Sequence, residues 1–232
     1  MNRHIAAKLK MSENMVKTHR FRNLLFFLLL YIVGSPFLEP YPSLTVLAHV
    51  SLSMTFVVAV HAITKVKNQH SIGSILLVPL LILYWLGFFD ALAFSRIGAQ
   101  LLATIFYALL IYTFTLQIKR ARKVTSKELY ATFCLYLIIG LFWGSLYTLL
   151  YSVDPGAYSG ALLESTNNTS HTFNYFSLVT LTTLGYGDIT PQTAGAAALC
   201  QMEAIFGQFF TAVVVAWLVG MFVSNRQERN HK

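Results

Sequence analysis

The stretch Thr182-Thr183-Leu184-Gly185-Tyr186-Gly187-Asp188 holds the residue types and spacing most able to do chemistry in this chain. Its resource is the backbone. A dehydrated cation needs a ring of oxygens, and an extended chain supplies one when its carbonyls all turn the same way. Gly185 and Gly187 permit the positive-φ conformations that such alignment requires. Side-chain chemistry elsewhere is sparse. Of the seven histidines, His49 and His61 share one apolar segment but not adjacent turns of one face, and His4, His19, His70, His171 and His231 fall near ends or loops. There is no His-Glu-x-x-His and no paired-cysteine pattern, so neither metal chemistry nor an enzyme is expected, and no cofactor is required.

The elements around the stretch must carry it into a bilayer. The chain has 232 residues, 56% hydrophobic and 11% charged. A soluble domain has about 25% charged residues, so an all-α membrane protein is the expected class. Six apolar segments can span as helices: 22–38, 44–64, 72–94, 97–118, 129–153 and 194–223. Pro36 and Glu39 cut the first short. Between the fifth and sixth lies a shorter apolar stretch, 172–183. As a helix it reaches about 18 Å, roughly half the membrane. A half-crossing segment returns to its own side, and irregular backbone at that depth survives only where it lines a cavity. The loop carrying Thr182–Asp188 is therefore expected to be re-entrant.

Charge sets the orientation. With the N-terminus cytoplasmic, all but Arg96 of the 17 basic residues fall inside, in the head, after the second and fourth spans, and at the C-terminal end. Glu39, Asp90, Asp154, Glu164 and Asp188 fall outside. The formal charge of +8 is thus a topology signal, directed at no nucleic acid, and its basic clusters suit anionic lipid heads. The expected location is the plasma (inner) membrane, multi-pass, with both termini cytoplasmic and the 154–193 loop facing out. No cleavable leader is read from the first apolar run. Cys134 and Cys200 lie toward opposite ends of their spans, so no disulfide is expected. Gly140 and Gly144 form a small-xxx-small pattern that allows close helix contact.

A half-length helix, then Thr-Thr-Leu-Gly-Tyr-Gly-Asp, then a long apolar run: this order resembles the pore helix, selectivity filter and inner helix of potassium channels. The whole chain is similar to bacterial six-span, one-pore-loop potassium channel subunits. Filters of that family carry Thr-Val-Gly-Tyr-Gly, whose carbonyls replace the hydration shell of K+. The resemblance implies K+ sites at Thr183, Leu184, Gly185, Tyr186 and Gly187, with passive conduction. Leu184 stands where valine is commoner, but only its carbonyl would face the ion. Tyr186 would pack outward as a strut, with Tyr175 and Phe176 bracing the filter from behind. Asp188 would form a carboxylate ring at the outer mouth. Thr180 and Thr182 would mark the cavity end of the pore helix, where the helix dipole favours a cation. One filter per chain implies three identical partner subunits in a homotetramer.

The resemblance also marks the last span. Gly207 falls where inner helices often hinge, and Thr211, Val215, Val219 and Val223 would form a cavity-lining stripe and apolar gate. Glu203 is ionisable within a span, a default functional candidate. It would sit against the pore helix or the back of the filter, as polar anchor or gating element, with a protonated carboxyl one state open to it.

The implied domains are a basic cytoplasmic segment (1–22), four transmembrane helices (23–118), a basic linker (119–128), the pore module (129–223) and a short tail (224–232). Voltage-gated relatives carry arginines every third residue in the fourth span, because each charge moved through 100 mV contributes about 2.3 kcal/mol. Residues 97–118 hold no Lys or Arg, so gating by an arginine ladder is not expected. Two rival functions stay open: a potassium transporter subunit, and a non-conducting regulatory membrane subunit.

Overall fold

The computed structural model describes residues 19–38, 41, 43–62, 69–89, 95–121, 125–165 and 168–230, without the side chains of 69–72, 95, 96, 215, 218, 219 and 221–230. The described chain is mostly helical. It runs α1 (His19–Leu38), α2 (Thr45–Ala62), α3 (Gln69–Phe88), α4 (Ser95–Lys119) and α5 (Ser126–Val153). A 3-10 turn (Pro155–Ala157), the two-residue strand β1 (Tyr158–Ser159) and α6 (Ala161–Ser165) lead to α7 (Thr169–Leu181). After the Thr182–Asp188 loop come β2 (Thr190–Pro191) and α8 (Ala194–Asn230).

Five helices among the described residues are long and apolar enough to cross a membrane: α1, α2, the Ile97–Lys119 part of α4, α5 and the Ala194–Val214 part of α8. Six spans are expected from the sequence, and five reach this length. The third is shorter, because the apolar part of α3 covers only Gly73–Phe88, its first turn being polar. Residues 90–94, expected to extend it, lie outside the described residues.

Pro36 does not interrupt α1. A proline ring clashes with the carbonyl four residues back and removes one amide donor. The helix absorbs this by widening to a π turn over Leu30–Gly34 before resuming at Ser35–Leu38. At the start of α5, Thr125 and Glu128 form a reciprocal capping box, with the Thr125 amide donating to Glu128 Oε2 at 3.0 Å. At its other end, α8 continues through residues 224–230 to Asn230.

α5 is the hub, 61% buried along its most apolar window. On one side it meets α4 through a polar seam. Gln100 Nε2 donates to Ser145 Oγ at 2.9 Å, and Thr104 Oγ1 bonds the same hydroxyl. On the other side Gly140 and Gly144 admit α7. A Cβ on Gly140 would sit 2.6 Å from Leu178 Cδ2, and one on Gly144 2.9 Å from the Cα of Asn174. The small-xxx-small pattern is therefore the seat of the half-length helix. Lower down, Phe21 of α1 packs edge-on against Phe114 of α4 at 5.3 Å, and the Cys134 thiol of α5 donates to the Phe21 carbonyl at 3.4 Å. Both cysteines are free.

Candidate functional site

The half-length helix forms over Thr169–Leu181, three residues earlier than its apolar pattern begins, and Thr182 caps it. Its buried residues Phe173, Phe176, Ser177 and Leu181 recur at helical spacing. Tyr147 of α5 supplies the wall: its ring lies 5.1 Å from that of Phe176 and 5.6 Å from that of Tyr158. Phe176 thus packs α7 against Tyr147 of α5 and Tyr158 of β1.

The loop that follows is anchored by its amides. The Thr183 N–H donates to the Thr180 carbonyl at 2.9 Å. The Leu184 and Gly185 N–H groups both donate to the Val179 carbonyl, at 3.0 and 3.2 Å. The last carbonyls of α7, which a helix end leaves without partners, are satisfied by the loop it positions. Among the described residues no donor is directed at the carbonyls of Thr183 to Gly187.

The conformations alternate. Thr183 has φ 60°, Gly185 φ 56° and Gly187 φ 79°, with Leu184 and Tyr186 between them at negative φ. Left-handed conformation at every second residue is what keeps successive carbonyls on one side. Glycine accepts it freely, whereas a β-branched threonine is held there against about 1–2 kcal/mol. The glycines carry a sequence signal for this and Thr183 does not.

The outer end of the loop is clasped. β1 and β2 pair antiparallel, Tyr158 opposite Pro191, and the Gln192 amide donates to the Ala157 carbonyl at 2.8 Å. Gly160 packs against the loop so tightly that a Cβ would lie 2.3 Å from the Asp188 carbonyl oxygen. The Tyr175 hydroxyl donates to Asp188 Oδ2 at 2.7 Å, and the Ile189 amide to Oδ1 at 3.2 Å. Tyr175 therefore ties α7 to Asp188. In the single chain Tyr186 is 67% exposed and Leu184 is 57% exposed.

Thr180 and Thr182 turn their hydroxyls onto α7 itself, to the carbonyls of Phe176 at 2.9 Å and Leu178 at 2.7 Å. On α8, Gly207 meets the end of α7 at Leu181, whose carbonyl also accepts from the Tyr136 hydroxyl at 3.2 Å. Thr211 donates to the Gly207 carbonyl at 3.0 Å. The side chains of Val215, Val219 and Val223 lie outside the described residues. Glu203 is fully buried between α8, α7 and α5, receiving the hydroxyls of Tyr147 and Ser177. Sequence reasoning missed Ser177, Tyr147 and Gly160. Ser177 and Glu203 were the available signal, two polar residues each surrounded by apolar neighbours.

The described residues hold no group of three or more His, Cys, Asp or Glu side chains that could hold a metal ion. His49 and His61 each point Nδ1 at the carbonyl one turn back in their own helix, at 3.0 and 2.9 Å.

The α5–α8 part of the chain, residues 131–224, matches the family model described as ion channel. The match spans the capped helix, the alternating loop and most of α8, and it supports a potassium channel pore-loop family. No curated protein and no solved structure matches the chain.

Proposed function

From an ion channel module at residues 131–224, in a multi-pass membrane protein, we propose that the chain is one of four identical subunits of a potassium-selective channel conducting K+ passively. One observation carries this reading. Positive φ at Thr183, Gly185 and Gly187, with the amides of residues 183–185 bonded back to α7, leaves a run of carbonyls free to act as oxygen ligands. K+ is the transported ion and no reaction chemistry is assigned.

Assembly follows from what one chain leaves uncovered. Irregular backbone cannot face lipid, yet residues 182–188 are all exposed in the protomer. The Ala194–Val214 stretch of α8 is only 11% buried, and Ile205, Phe206, Phe209 and Val213 each expose more than half their surface. Three further copies around an axis would cover α8 and complete the oxygen ring. The short α3 would make the sixth span, with α7 re-entrant beside it, and the positive-inside charge pattern supports cytoplasmic termini. α4 lacks ladder charges and is tied to α5 through Gln100 and Ser145, which supports a channel without an arginine-ladder voltage sensor.

Reconstitution into potassium-loaded liposomes tests the proposal. The expected result is K+-selective flux abolished by Gly185→Ala. Coupled uptake, or no flux from an assembled tetramer, overturns it in favour of a transporter or non-conducting subunit.

A further inference from the structure

Glu203 lies at the meeting of three helices, and its contacts count protons. Tyr147 Oη of α5 touches Glu203 Oε2. Ser177 Oγ of α7 lies 2.5 Å from Glu203 Oε1 and 2.6 Å from the carbonyl oxygen of Gly140 in α5. Each of these oxygen–oxygen contacts needs a hydrogen between its partners. The Gly140 carbonyl can only accept. The Tyr147 hydroxyl provides one hydrogen and the Ser177 hydroxyl another, and a single hydroxyl hydrogen cannot lie along two such short lines. Three contacts and two hydroxyls leave one hydrogen to be found, and only the Glu203 carboxyl can hold it.

We propose that Glu203 works as a neutral acid, the proton-bearing pin that joins the inner helix to the back of the filter-bearing helix. Its O–H donates to Ser177 Oγ, the Ser177 O–H donates to Gly140, and the Tyr147 O–H donates to the free carboxyl oxygen. The chain runs from α8 through α7 to α5. Without that proton Ser177 can bond Glu203 or Gly140 but not both, and α7 loses one of the two hydrogen bonds at Ser177. α7 is also the helix whose Val179 and Thr180 carbonyls hold the loop amides. Glu203 therefore acts on the loop through α7, as a positioning residue. The titratable groups facing it are Tyr136 and Tyr147 of α5, Tyr158 of β1 and Cys200 of α8 itself. α7 faces it with the non-titrating Ser177, and among the described residues no basic side chain forms an ion pair with it. The relay is complete while the carboxyl is protonated and is lost as rising pH removes that proton.

Two measurements on the full-length reconstituted protein test this. Infrared difference spectra of wild type against Glu203→Gln should show the C=O stretch of a protonated carboxyl, shifted in heavy water, at neutral pH. Its absence overturns the proposal whether or not the chain conducts. The second measurement, K+ flux against pH, rests on the channel reading. Wild-type flux should be lost on the alkaline side. Glu203→Gln should keep its flux there, since its amide N–H replaces the acid proton and its carbonyl still accepts from Tyr147. Cys200→Ala should retain the alkaline loss. The same alkaline profile in wild type and Glu203→Gln, or its disappearance in Cys200→Ala, overturns the inference. Wild-type protein that conducts at no pH overturns the channel reading, and the infrared band then decides the present one.

Discussion

Gly207 of α8 lies against the end of α7 so closely that a Cβ there would stand 2.1 Å from the carbonyl oxygen of Leu181 and 2.9 Å from its carbonyl carbon. The neighbour is backbone, one residue before the Thr182–Asp188 loop, so it cannot rotate aside. Gly207→Ala should then act on the loop itself. Overpacking of this kind costs about 1–3 kcal/mol. We expect a less thermostable tetramer with reduced K+-over-Na+ selectivity, read by melting and by ion-replacement flux. A variant with wild-type stability and selectivity but altered open probability would instead support bending at this glycine.

Gly185→Ala places a Cβ at φ 56°, where nothing lies within 4 Å of it. Within one chain the obstacle is conformation, about 1–2 kcal/mol in each subunit. Selective flux should disappear while the tetramer still assembles. Thr183→Gly relaxes the same kind of strain at φ 60° and deletes a hydroxyl. It should leave the chain folded and weaken selectivity, measured as the permeability ratio of K+ to Na+.

Tyr175→Phe removes the hydroxyl that donates to Asp188 Oδ2 and leaves the ring in place. Asp188→Asn keeps an acceptor at the mouth and removes the charge. The first should shorten channel open lifetimes by freeing the outer end of the loop. The second should lower single-channel conductance most at low ionic strength, where charge rings concentrate cations best. Unchanged open lifetimes in Tyr175→Phe beside altered ones in Asp188→Asn would show that charge, and not the Tyr175 hydrogen bond, dominates at this position.

The Gln100–Ser145–Thr104 seam binds the fourth helix to the fifth without a single charge. Planar-bilayer recording should show open probability varying weakly between −100 and +100 mV. Gln100→Leu should loosen α4 without creating steep voltage dependence. A steep conductance–voltage curve in the wild type would sink the account of α4 as a fixed support.

Much of this protein is written in local chemistry. Hydrophobic runs of spanning length locate the helices, because a bilayer admits little else. Basic residues at alternate loops orient them, and Gly185 and Gly187 announce the alternating backbone, because only that residue type takes positive φ without cost. Those features need no knowledge of which segments touch. Other features depend on contacts distant in sequence, and there only the tertiary structure could decide. Thr183 enters the left-handed region because residues 183–185 are bonded to α7, an override of local preference that its side chain does not advertise. The glycine pair at 140 and 144 predicted a close contact but not its partner, Asn174 and Leu178. Gly207 read equally well as hinge or seat, and its close approach to Leu181 exists only in the folded chain. Glu203 stood out as costly within a span, yet its meaning required Tyr147 and Ser177, on two other helices, to converge on one carboxyl. Composition and periodicity act over a few turns of one chain, while packing sums many weak contacts between segments, and it is that sum which assigns each polar residue its partner.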